Sequence, residues 1–589
     1  MAKLPLKSLP MIKIKIILFF IFIFGLTLRL WKVDSIPPGL NRDEASIGYT
    51  AYSLIKTGKD EYGIDWPFSF KTFGDWKLPL YIYLTIPSIK LFGLSEIAIR
   101  LPTVIFSSLT IINIYLLAKI LFHSRSTALL SSLFFAISPW SLHLSRNESE
   151  AHSSIFFTTL GLLFFFRSKG KLLKILLGTI FLVIPLYMYH GNHIYTPLLY
   201  IGLLIVSWKE NLTLKNAFLS ILLFVAFTLF IYSKTLLSAD VTKISGLFAA
   251  NDPALVHENI NLNRLEHTNI LSFTTALFHN RFIFTGLSVI QNYILGFSPE
   301  FLFITGGTNL QHNIPDFGNL YLWEAPFIIL GLYFIFANKN ISRGLILWWL
   351  LISPIAASLT KDAPHTNRMA PFLPLPYFLI SYAVIETVKI IKNIKVQTLI
   401  ILSKSLILLL LVLNFMLWTD RYFIHFPIKR EFAWGGGYRE LVAKVTLLQD
   451  RYSEIVMDRP DYSPYIYFLF YQQVDPELFQ NRVIRYPVDS EGFHHVKSFN
   501  NLTFKKLDWS KALIDSDKLI ISWAESTPPH ATNSSYLIDD LIFNRMIKEF
   551  GGTFDLKIGD QVINRLIKEI KLKNGQPQFY LIEVKRILT

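Results

Sequence analysis

The chain has no cysteine among its 589 residues, which removes disulfides, thiolate metal ligands and a cysteine nucleophile. It is also poor in charge: only 17% of residues are Asp, Glu, Lys or Arg, against about 25% in an average soluble protein. Apolar residues fill that space, with 52% hydrophobic, 50 phenylalanines and a mean hydropathy of +0.40. A soluble core has no use for so much apolar surface, whereas a bilayer-spanning helix needs about 20 consecutive apolar residues. A cleavable leader is not expected. The first apolar run, 14–31, lacks a small-residue cleavage site and is long enough to stay as a span. A net charge of +15 would suggest nucleic acid in a soluble protein. Here the Lys and Arg residues fall in short loops between apolar runs, the pattern that orients a membrane protein, so no nucleic-acid partner is expected.

Apolar stretches of spanning length lie at 12–32, 97–122, 172–189, 216–235, 320–337, 342–359, 372–391 and 397–418, with shorter ones at 127–142, 151–166 and 194–208. Together they predict an α-helical polytopic membrane protein of about eleven transmembrane helices. Lys3, Lys7, Lys13 and Lys15 place the N-terminus in the cytoplasm. Alternate loops then carry Lys119 and Arg125; Arg167 to Lys174; Lys209 and Lys215; Lys339 and Arg343; Lys389 to Lys395. Three longer stretches are left outside: a first loop at 33–96, a second at 236–319, and the tail. The expected division is a transmembrane domain over 1–418 and an extracytoplasmic α/β domain over 419–589. In the tail, strands are expected at Glu454–Met457, Lys518–Trp523 and Phe579–Val584, and helices at Gly437–Leu448 and Gln561–Ile570.

The first loop carries the densest chemistry. After Pro37-Pro38-Gly39, Asn41 or Asp43 can cap a helix, acidic residues suit its first turn, and Gly58 ends it. Ile47, Ala51, Leu54 and Ile55 recur at helical spacing, which predicts an amphipathic helix lying on the membrane with its apolar side down. Asp43 and Glu44 at its start serve as cap residues in water. Shielded by membrane and protein, a carboxylate there can also act as a general base toward a hydroxyl. Asp60-Glu61 repeats the acidic pair, and Asp75-Trp76-Lys77 brings a lysine to an aromatic, membrane-entering segment. Lys77 suits a lipid phosphate and equally suits an interfacial anchor.

Between later spans, His365 and Arg368 are three apart, so a helical turn puts both on one face before an apolar run. The Arg fork matches phosphate oxygens; a basic interfacial anchor is the alternative. His143, Arg146, Glu148, Glu150 and His152 also face outward, as do His190, Asn192 and His193, but no spacing among them matches a strong metal motif, so no metal is assigned. An aromatic, Gly-containing loop spans 292–318.

Taken in order, Arg42-Asp43-Glu44, Gly48-Tyr49, Thr57 to Gly63, Lys77-Leu78-Pro79-Leu80-Tyr81, Phe92-Gly93 and Arg100-Leu101-Pro102 resemble the protein O-mannosyltransferases and lipid A aminoarabinose transferases, GT-C-fold membrane glycosyltransferases. Ser138-Pro139-Trp140, His365 to Arg368 and Pro464-Tyr465-Ile466-Tyr467 resemble bacterial, family 39-like members. The resemblance implies a polyprenyl-phosphate sugar donor, inversion at the anomeric carbon, no cofactor and no metal. It implies Asp43 as the base with Glu44 beside it. It also implies a substrate-binding set of Arg42, Tyr49, Asp60, Glu61, Asp75, Lys77, His365 and Arg368. Leu78 stands where the family has a proline, which loosens the mapping of Lys77. The rival expectation is a transporter or lipid flippase, which needs ionisable residues near span centres; in this sequence they gather in the outer loops.

Overall fold

The computed structural model describes residues 11–73, 75–208, 212–235, 253–266, 272–338, 343–393, 396–489, 492–513, 517–537 and 561–587. Lys3, Lys7, Lys209, Lys339 and Lys395 of the charge pattern lie outside them, as do residues 236–252 and 267–271 of the second outer loop. The chain divides into two compact units. The first takes residues 1–36, 78–88 and 97–426; the second takes 37–77, 89–96 and 427–589.

The first unit is helical, and a helix stands on each of the eleven apolar stretches. Five described helices are long and apolar enough to cross a membrane: Met11–Leu30, Glu96–Phe122, Leu214–Thr235, Ala370–Asn393 and Gln397–Lys429. A sixth follows if Arg125–Ile137 and Pro139–Ser145, bent by 54°, make one span. The bend falls at Ser138-Pro139, where Ser138 caps the second helix through the Ser141 N–H and proline takes its first position. The count of eleven therefore exceeds what length and apolarity support, although the chain is a multi-pass membrane protein.

Three arginines of this unit are fully buried, Arg29, Arg100 and Arg146. Arg146 donates to the carbonyls of Leu28 (2.6 Å), Arg29 (3.1 Å) and Ile36 (3.1 Å). Arg100 reaches the Val33 carbonyl at 2.7 Å. The carbonyls left over at the end of the first helix and the turns after it are thus met by guanidinium groups, the sign of charge that a helix C-terminus favours. Arg29 is satisfied by Ser107, Ser141 and the Gly25 and Ala136 carbonyls.

The second unit holds an eight-stranded mixed sheet. The first-loop hairpin supplies β1 (Phe70–Thr72) and β2 (Asp75–Lys77). The sheet itself runs from β3 (Glu454–Met457) through β4 (Ile484–Arg485), β5 (Val496–Phe499), β6 (Leu502–Phe504), β7 (Lys518–Trp523) and β8 (Asn533–Leu537) to β9 (Gln561–Lys571) and β10 (Pro577–Ile587). Their spatial order is β4-β5-β6-β3-β7-β10-β9-β8. β3 is parallel to β6 and β7; the other pairs are antiparallel. Residues 561–570, expected as a helix, form β9. Val562 and Asn564 alternate inward there, and the strand pairs with β8 on one side and β10 on the other. Spacing of 3.6 and of 2 both fit so short an apolar set, and pairing decided between them. The expected strands at 454–457, 518–523 and 579–584, and the helix Tyr438–Leu448, are present.

The unit also shows why the first-loop segment does not stand alone. Its helix, Arg42–Thr57, is capped at Asn41 and closed by Gly58 in the left-handed conformation, as the sequence indicates. Residues 44–51 are all buried, so the helix is not a one-sided surface helix. It packs on Tyr465–Tyr471 and Pro476–Arg482, both from the C-terminal segment. Tyr49 meets Phe479 edge-on at 6.1 Å and donates to the Val474 carbonyl at 3.2 Å.

Candidate functional site

In the second unit the first turn of the Arg42–Thr57 helix sorts the two acids. Glu44 is fully buried and closes a capping box: the Asn41 side chain accepts the Glu44 N–H at 2.7 Å, and a Glu44 carboxylate oxygen accepts the Asn41 N–H. Asp43, one residue earlier, turns outward with a side chain 39% exposed. Lys77 reaches it from β2, Nζ to Oδ1 at 2.7 Å. β1 and β2 pair Phe70 with Lys77, and the ring of Phe73 at the hairpin tip lies under both the Lys77 ammonium (5.9 Å) and the Arg42 guanidinium (5.2 Å). The arrangement is an accessible carboxylate and a nearly buried ammonium on one aromatic floor. Chemically it can accept a proton at Asp43 and bind an anion at Lys77.

The other first-loop residues lie deeper. Asp60 caps its own turn, accepting the Tyr62 and Ile64 N–H groups at 2.9 Å each, and burial pushes its carboxyl up. Glu61 is fully buried; it accepts the Tyr465 hydroxyl at 2.9 Å and the Phe73 N–H at 3.4 Å. Burial raises it to about 7, with the Arg485 guanidinium opposing. Tyr49 points into the unit. Asp75 sits on β2 opposite Thr72, its side chain outside the described residues. Arg42, Asp43 and Lys77 are therefore brought together, while Tyr49, Glu44, Asp60 and Glu61 hold the framework behind them. Two partners in that framework, Tyr465 and Arg485, lie more than 400 residues away in sequence, and no local pattern links them to the loop.

In the first unit His365 and Arg368 share a turn. The His365 ring nitrogen Nδ1 accepts the Asn367 and Arg368 N–H groups at 3.2 and 3.4 Å. Burial, reinforced by Arg368, pushes its pKa down to about 3, so the ring is neutral at pH 7 with its hydrogen on Nε2, 3.7 Å from Asp362. Arg368 is ion-paired with Asp362 and hydrogen-bonded to the Tyr189 hydroxyl. The floor is built by the 306–313 loop: Asn313 accepts the Gly307 N–H at 2.7 Å, and the His312 and His365 rings lie 5.0 Å apart. His365 is thus a positioning group and Arg368 the cation on offer. Asp362 was visible three residues from His365; Tyr189 was not signalled at all.

The remaining histidines are dispersed. His143 and His193 pair with the Gln311 and Leu186 carbonyls, and His152 stacks on Phe135. Among the described residues no group of three or more His, Asp or Glu side chains is placed to hold a metal ion.

Residues 77–235 match the family described as dolichyl-phosphate-mannose-protein mannosyltransferase. The matched segment starts at Lys77 and includes Arg100, Arg146 and Tyr189. No curated protein matches the sequence. Among solved structures, the Cupriavidus metallidurans ArnT bound to undecaprenyl phosphate is similar at 9% identity and TM-score 0.49, with 97% of each chain covered. The Archaeoglobus fulgidus oligosaccharyltransferase AglB, in complex with an inhibitory peptide and a dolichol-phosphate, is similar at 12% identity and TM-score 0.48, over 78% of this chain and 64% of that one. The mycobacterial arabinofuranosyltransferase AftD gives 11% and 0.41, over 99% and 40%. The chain thus spans 64% of the archaeal enzyme's length.

Proposed function

We propose that the protein transfers a sugar from a polyprenyl-phosphate carrier to an acceptor hydroxyl, with inversion, at the outer face of a cell membrane. Its N-terminus is then cytoplasmic and its C-terminal unit extracytoplasmic, as the basic loops require. The observation that carries this reading is the Asp43–Lys77 pair: an accessible carboxylate held 2.7 Å from an ammonium on a shared aromatic floor. When the donor arrives, its phosphate takes Lys77 as partner and releases Asp43. The Asp43 carboxylate removes the acceptor's hydroxyl proton while the oxygen attacks the anomeric carbon from the face opposite the phosphate. The carbon–oxygen bond to phosphate breaks, and its electrons stay on the leaving phosphate, where Lys77 offsets the charge. Arg42 flanks the same floor as Lys77; Arg368, beside His365 in the first unit, is proposed separately as a cation for phosphate.

The test is Asp43→Asn, assayed in membranes against a panel of polyprenyl-phosphate sugars. Loss of a general base lowers turnover about 10²–10⁴-fold, and undecaprenyl phosphate should still bind. Turnover within a factor of a few of the native protein would remove Asp43 from the chemistry. A transporter reading would leave sugar release unaffected by this change.

A further inference from the structure

At one end of the eight-stranded sheet lies a cleft of about 470 Å³, within the range of small-ligand sites. Its walls are the 428–432 segment, the end of β7 and the β9–β10 turn. Two faces of it differ in chemistry. One is aromatic. Phe432 lines it and is 49% exposed, Tyr462 stands beside it at 46%, and both rings contact Trp523 at 5.9 and 5.4 Å. Trp523 is 5% exposed, and its indole N–H has no acceptor among the described residues. The other face is amide-rich: Asn574, Gln576 and Gln578 follow one another around the turn. That turn is held rigid by the Leu572 N–H on the Gln576 carbonyl at 2.9 Å and the Asn574 amide on the Gln576 side chain at 3.1 Å. Glu525 closes the end, paired at 2.7 Å with Arg459, whose guanidinium lies over both Tyr462 and Trp523.

Aromatic rings that stay exposed beside amides and a carboxylate suit one ligand class above others. A sugar ring has C–H faces that pack on aromatic faces, and hydroxyls that need donors and acceptors in equal measure. Side-chain amides supply both and a carboxylate accepts. A phosphate-bearing ligand finds little here, since one lysine, Lys429, and one acid, Glu525, line the cleft. Strand addition by a peptide is closed off, because β7 and β10 are each flanked by strands on both sides.

We propose that this cleft is a carbohydrate-binding site for a neutral stretch of glycan, a reading independent of the transferase proposal above. The full-length protein in lipid nanodiscs, free of sugar detergents, is to be examined by saturation-transfer NMR with mannobiose, cellotriose and a Ser/Thr-rich peptide, and no lipid donor. Saturation should pass to the sugar ring protons. Phe432→Ala and Gln576→Ala should each weaken it about fivefold, the worth of one aromatic contact or one hydrogen bond, with the thermal midpoint of Phe432→Ala unchanged. Absence of transfer to either sugar, native-like binding by both variants, or saturation of the peptide in place of the sugars would each overturn the proposal. Because the donor is omitted, a failed transferase assay leaves this result standing, and the reverse holds as well.

Discussion

Glu61 sits inside the second unit with a carboxyl raised to about 7 by burial, accepting the Tyr465 hydroxyl and the Phe73 N–H. Its folded-state value lies above the ordinary 4.5, so folding favours the protonated acid. The contribution to stability is complete below about pH 4.5 and is lost as pH rises through 7, at most about 3 kcal/mol in all. Asp60, also raised, acts with the same sign. Glu61→Gln should therefore flatten the fall in melting temperature between pH 5 and 8, and an unchanged slope would clear Glu61 of the effect. Arg146 gives a second test. Arg146→Met leaves the Leu28, Arg29 and Ile36 carbonyls without their donor and should cost more than about 3 kcal/mol, read as melting temperature. Lysine, with a single ammonium in place of a fork, should not restore it. Local residue roles were legible in the sequence: Asn41 as cap and Gly58 as stop follow from short-range backbone chemistry. The pairing of Asp43 with Lys77 was not, because a contact 34 residues apart depends on how a hairpin folds back. The separation of Asp43 from Glu44 was hidden too, since adjacent acids differ only in the direction that each leaves the helix.

Among the elements, the turn that follows the last membrane helix is tightly constrained. Gly435 has φ +66, and a Cβ there would meet the Leu40 carbonyl oxygen at 2.3 Å and the Tyr467 hydroxyl at 2.8 Å. Gly435→Ala should cost several kcal/mol through left-handed strain and this clash, seen as protease sensitivity of the second unit. Gly575→Ala is the control: φ is +83 but nothing lies within 4 Å, so only about 1–2 kcal/mol of backbone strain applies. The elements that the sequence revealed were those with their own signal. Apolar runs marked helices, and short apolar segments within the polar tail marked β3, β7 and β10. The segment 561–570 misled because Val562, Leu566 and Ile570 fall four apart, a spacing that fits one helical face and, being even, one strand face, and only the neighbouring strands choose between the two readings. The first-loop helix misled differently. Its periodic residues were correctly taken as a buried face, but the surface that covers it comes from residues 465–482, which no local reading can supply.

At the scale of the whole molecule, the second unit is assembled from three separated stretches, 37–77, 89–96 and 427–589. A sequence reading naturally assigns a loop to the helices that bracket it, so this grouping was invisible beforehand. It carries a consequence for biosynthesis. The segment that bears Asp43 and Lys77 leaves the ribosome early, yet the helices that wrap it are translated hundreds of residues later. Until they arrive, the apolar sides of Ile47, Tyr49 and Leu54 have nothing to cover them. A nascent or prematurely terminated chain would thus lack the cover of its first-loop helix until the close of synthesis.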